Sequence, residues 1–157
     1  MLRRSIITLG LLAAGALAQA AGVVEVSFKP VDQYADAGRG RDGQHNLDVL
    51  GRHFKSLAAK LPDGQTLKIE VQELDLAGEM KPMRRADELR VMRGGADWPS
   101  MTLQWSLNEG GRTLQSREER ISDMNYLMHS RPGDGDPLTY EKRMIDVWFD
   151  QRFAPKP

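Results

Sequence analysis

The chain contains no cysteine. That absence excludes disulfides, thiolate metal sites, a cysteine nucleophile and a lipid-modified N-terminal cysteine. Neither sign of charge is in excess, since 22 Lys and Arg stand against 22 Asp and Glu. Nucleic-acid binders carry surplus cations to neutralise phosphates, so that class of partner is set aside. Long apolar runs are missing too: the run from Ile6 to Ala18 falls short of the roughly 18–20 residues that span a bilayer. Histidine is sparse. His45, His53 and His129 include no i, i+4 pair and no HExxH motif, so no metal site and no cofactor is read from them. No G-x-S-x-G elbow supports serine hydrolysis. At 157 residues the length suggests one domain.

What is present begins with an address. Arg3 and Arg4 precede the apolar run, and Ala18-Gln19-Ala20 puts small residues at the −3 and −1 positions. This is the layout of a secretory signal peptide. The expectation is therefore a signal over 1–20, cut after Ala20, and a periplasmic or secreted protein. Removal takes away two arginines and no acid, which leaves a slight acidic excess. Residues 21–157 then form one α+β domain with no transmembrane segment. Without cysteine it folds on packing alone, which is feasible because a domain of this size buries about two thirds of its unfolded surface.

Periodicity predicts the elements. Val24, Val26 and Phe28 alternate with polar residues, which reads as a strand ended by Pro30. Residues 29–45 read as a long loop. Asn46 then caps a helix over 47–61, striped by Leu47, Leu50, Phe54, Leu57 and Leu61. Leu67, Ile69 and Val71 mark a second strand. The change of phase to Leu74 and Leu76 calls for a bulge near Gln72-Glu73. Residues 80–88 read as a loop and Leu89 to Val91 as a short strand. Met101, Leu103, Trp105 and Leu107 form the cleanest strand. Asn108 to Gly111 turns it back into a partner ending near Ile121. Ser122 opens a helical turn. Asp136 and Pro137 open a last helix with Tyr140, Met144, Ile145, Val147, Trp148 and Phe149 on its apolar face. The fold class is α+β: an antiparallel sheet of four to five strands with two main helices packed on one face, in the order β-α-β-β-β-β-α.

Few motifs carry chemistry. Gly38-Arg39-Gly40-Arg41-Asp42-Gly43 matches G-x-G-x-x-G, but Gly38 lies ten residues past Phe28 instead of at a strand end. It reads as a flexible loop and not as a dinucleotide fingerprint. Met80 and Met83, with Met124, Met128 and His129, raise Cu(I) binding through thioethers as an alternative. Core filling by Met124 and Met128 at helical spacing is the plainer account. A charge reversal is sharper. Residues 63–79 hold one Lys against five acids, and 81–93 hold five Lys and Arg against two acids. Solvated faces explain it, and a docking surface for a charged partner is the functional alternative.

Several segments resemble a known family. They are Val26-Ser27-Phe28 with Pro30 and Tyr34, Leu74-Asp75-Leu76-Ala77-Gly78-Glu79, Arg90-Val91-Met92, Asp97-Trp98-Pro99, Ser122-Asp123-Met124-Asn125-Tyr126, and Tyr140-Glu141-Lys142-Arg143-Met144 with Trp148-Phe149. Together they are similar to the secreted bacterial family catalogued as domain of unknown function 3016. The resemblance implies an exported protein without an established activity, and it offers no catalytic residue to carry over.

The functional expectation is a non-enzymatic binding or envelope-accessory module whose partner is an envelope protein or polymer. Candidate contacts are Asp75, Glu79, Asp97, Trp98, Asp123, Asn125 and Tyr126. They are polar or aromatic, sit in loops or at strand ends, and are not required by the core pattern. The alternative is a hydrolase of an envelope polymer using carboxylates. Its mark would be a pocket holding two acids, one with a raised pKa.

Overall fold

The structure, a computed structural model, describes residues 21–82, 88–129 and 135–153. The expected signal segment, Met83 and residues 130–134 lie outside them.

Among the described residues the main sheet has four strands in the order β1-β2-β5-β6. These are β1 (Val23–Phe28), β2 (Gln65–Asp75), β5 (Ser100–Glu109) and β6 (Arg112–Ser122). A two-stranded sheet joins β3 (Glu79–Pro82) to β4 (Glu88–Val91). The helices are α1 (Gly40–Ser56), the single turn α2 (Tyr126–His129) and α3 (Thr139–Phe153). The α+β class and the element order match the sequence reading.

The sheet is mixed and not wholly antiparallel. β1 runs parallel to β2, with Val24 beside Leu67 and Phe28 beside Val71. Parallel neighbours need a crossover, and α1 supplies it. The expected bulge is present: the β2–β5 register shifts between Val71 and Glu73. That extra residue is what lets Val71 and Leu74 both point inward, fully buried.

Leu67, Ile69 and Val71 of β2 share the buried face with Met101, Leu103 and Trp105 of β5. Leu50 and Phe54 of α1 and Ile145, Trp148 and Phe149 of α3 close over them. Edge-to-face aromatic contacts tie the layers, with the Trp105 ring 5.0 Å from Phe153 and Phe54 6.4 Å from Trp148. On the opposite face Lys68, Glu70 and Gln104 stand in solvent.

Several local expectations are corrected. α1 begins at Gly40, seven residues before Leu47, so the glycine motif is not a flexible loop. Its first turns bury Gly43, whose added Cβ would stand 2.4 Å from Val31 Cγ1. A glycine on the buried face gives no apolar signal, which hides the start. Asn46 lies inside the helix and donates from Nδ2 to the Ala37 carbonyl instead of capping. Residues 80–82, read as the start of a loop, belong to β3 instead. Met124 and Met128 are exposed, so they do not fill the core. Val147 is 43% exposed, off the core face of α3.

Candidate functional site

Four of the seven sequence candidates line two regions, and Trp98, Asn125 and Tyr126 line neither. A cleft of ≈ 450 Å³ at the end of β2 brings together Asp75, Glu79 and Asp97, with Asp36, Met80 and Lys81 around them. The turn 76–78 aims these groups. Ala77 is wholly buried, and both its backbone groups are held by charged side chains. Its N–H donates to Glu141 Oε1 at 2.7 Å, and its carbonyl accepts from Arg90 Nη1 at 3.0 Å. Arg90 also donates to both carboxylate oxygens of Asp36, at 3.0 and 3.1 Å. The next residue, Gly78, donates its N–H to the Asp97 carbonyl at 2.8 Å.

Most carboxylates of the cleft are engaged. Asp97 Oδ2 accepts the Arg93 N–H at 2.7 Å. Burial works against its charge, but hydrogen bonds from the Arg93 N–H and the Tyr126 hydroxyl outweigh it and hold its pKa below the ordinary value. Glu79 pairs with Lys81. Asp75 behaves differently: burial, then the neighbouring Asp36, push its pKa up. Local pairing within the cleft thus absorbs part of the charge reversal along 63–93.

Tyr126 belongs to the core, contrary to expectation. It is 1% exposed, its ring stands 4.8 Å from Tyr140, and its hydroxyl accepts the Gly94 N–H at 3.2 Å. Asp123 accepts the Asn125 N–H at 3.0 Å in a tight side-chain turn and faces His129 Nδ1 at 3.2 Å. Asn125 is exposed beside it. Trp98 is half-buried and lines neither region.

The second region is a groove of ≈ 660 Å³ between β6 and α3. Of the candidates, Asp123 alone borders it. Glu119 lies on its wall and is the hub of the joint. Glu119 Oε2 accepts from Trp105 Nε1 at 3.2 Å, Trp148 Nε1 at 3.0 Å and Arg152 Nε at 3.2 Å. Arg152 Nη2 adds an ion pair to Oε1 at 2.8 Å. Burial raises the Glu119 pKa, but the two indole N–H donors and Arg152 outweigh it, so the net shift is downward. Arg143, Val147 and Gln151 of α3 complete the groove. The sequence reading missed Glu119, because nothing in one strand's alternation announces two tryptophans arriving from elsewhere.

The family model described as a protein of unknown function, DUF3016, matches residues 22–151. This chain belongs to that family. Part of the segments that carried the family resemblance comes together at and behind the cleft: the 74–79 turn, Arg90, Asp97, Tyr126 and Glu141 are joined by the bonds above. Comparison with curated proteins and with solved structures gives no match. Among the described residues, no helix is long and apolar enough to cross a membrane. Among the same residues, no three His, Asp or Glu side chains are placed to hold a metal ion.

Proposed function

We propose that the protein is an exported, non-enzymatic binding module of the cell envelope that engages an envelope protein or polymer through the groove between β6 and α3. The observation that carries this reading is the groove's balance of groups. Its two carboxylates are already engaged, Glu119 by Arg152 and the indoles and Asp123 by His129. Arg143 has no ion-pair partner among the described residues, and Val147 presents apolar surface beside it. Export rests on the signal-like layout of residues 1–20.

The test is photo-cross-linking in the producing cells, with the reactive side chain at Val147 or, as a control, at Lys68 on the solvent face of the sheet. A discrete adduct is expected from Val147 in the periplasmic fraction, absent from Lys68 and lost in Arg143→Glu. Cytoplasmic protein that retains Met1, or the same adducts from both positions, refutes the reading.

A second reading is favoured by Asp75, a carboxyl with a raised pKa in a cleft with Asp36, Glu79 and Asp97. That is the arrangement a carboxylate hydrolase needs. Release of soluble fragments from cell-wall polymer by the wild type, but not by Asp75→Asn, would establish it. No release by either would remove it.

A further inference from the structure

We infer that β6 binds an extended acidic peptide by strand addition, with alternate side chains of the peptide entering the groove against α3. This rests on the groove reading above and names its partner class.

β6 is an edge strand of 11 residues. β5 pairs with one side of it, and among the described residues no strand pairs with the other. Nearly all of its residues are exposed. An edge of this kind leaves the N–H and C=O groups of every second residue pointing outward and unpaired, which is a template for another strand. What distinguishes this edge from a bare one is the groove beside it. A strand laid along β6 sends every second side chain toward the helix face of the sheet. There it meets Arg143, Val147 and Gln151 of α3. Strand-addition sites work this way, with main-chain bonds giving affinity and side-chain pockets giving selectivity.

Charge selects the occupant. Arg117 lies opposite Trp105 in register and therefore on the helix face. Like Arg143, it has no ion-pair partner among the described residues. Glu119 and Asp123, the acids of the groove, are already engaged. The groove lining holds three arginines, Arg120, Arg143 and Arg152, against those two acids, so its excess charge is positive and the complementary strand is acidic. A second copy of the chain fits less well. An antiparallel copy centred on Arg117 or Glu119 sets like charges directly opposite, and one centred on Glu118 sets that acid on its twin and offers Arg117 only Glu119, which Arg152 and the two indoles already hold.

The test uses a phage library of random 12-residue peptides panned on the purified protein. Enriched peptides are expected to alternate Asp or Glu with other residues. A resynthesised winner should lose at least tenfold in affinity for Arg143→Glu, a substitution at an exposed position that leaves folding intact. N-methylation of one alternate set of its amides should abolish binding, and methylation of the other set should not. No enrichment, a neutral or basic consensus, or two methylated sets that behave alike overturns the inference. So does a protein dimer with protected β6 amides, which would give the edge to a second copy. If the Val147 adduct persists while the peptides fail, strand addition falls and the groove reading stands.

Discussion

Gly78 sits at φ +82° with its N–H on the Asp97 carbonyl, and an added Cβ would stand 2.8 Å from the Val91 carbonyl oxygen. That oxygen belongs to the backbone of a paired strand and moves only if β3 and β4 part. Gly78→Ala should therefore lower stability by about 1–3 kcal/mol, from the strained backbone and the clash together. Urea melts check it, and an unchanged midpoint would show that the turn has room. At this scale the sequence tells which residues are polar loop positions, but not which atoms hold them. Asp75, Glu79 and Asp97 read as non-core, and they do share a cleft. Glu141 figured only in the family resemblance and not among the candidates, because a carboxylate on a helix is expected to face water. Its partner is the Ala77 N–H, 64 positions away, and no local pattern encodes that distance. Tyr126 failed for the same reason: its burial depends on Tyr140 and Gly94, not on its neighbours in the chain.

Elements were legible wherever one face was apolar. Strict alternation exposed β2 and β5, and the broken alternation after Val71 located the bulge. The start of α1 was hidden because glycine, at 43, occupies a buried position. The parallel direction of β1 was also hidden, since alternation is the same in either direction. β6 is mostly polar on both faces, and its attachment to α3 rests on Glu119. Substituting Glu119→Gln removes the charge that draws two indole N–H groups and Arg152 together. A loss of about 1.5–3 kcal/mol at neutral pH is expected, the range for hydrogen bonds to a charged group. The sign follows from the pKa. The folded-state value is lowered, so the stabilisation is present above the ordinary glutamate range and is lost as pH falls through the folded value. The variant and the wild type should therefore converge in acid. Chemical melts followed by tryptophan fluorescence test this, because Trp105 and Trp148 report the joint itself. A gap that stays constant down to strongly acidic pH would refute the assignment.

Across the molecule, two sets of carboxyl groups pull the pH dependence of stability in opposite directions. Asp97, Glu119 and Asp136 have folded pKa values below their ordinary ones, because hydrogen bonds and cations outweigh burial. Their contribution is full above the ordinary carboxyl range and is lost as pH falls through the folded values. Glu141 and Asp75 are shifted upward, both chiefly by burial. For these the folded state holds the proton more tightly than the unfolded chain. Stability therefore falls as pH rises from the ordinary carboxyl range toward the folded values. Glu141 dominates this second set, being 1% exposed with Oε2 buried and without a hydrogen-bond partner. A chain with no cysteine has no disulfide to mask the balance. Stability should accordingly peak near the ordinary carboxyl range and decline as pH rises above it. Glu141→Gln keeps an oxygen for the Ala77 N–H and abolishes the titration. It should flatten the neutral side of the curve and move the maximum upward in pH, while the acid limb set by Asp97, Glu119 and Asp136 stays in place. Urea midpoints measured across the pH range for both proteins decide the matter. Parallel curves on the neutral side would mean that Glu141 is ionised in the fold, and its burial would then need a cation to balance it.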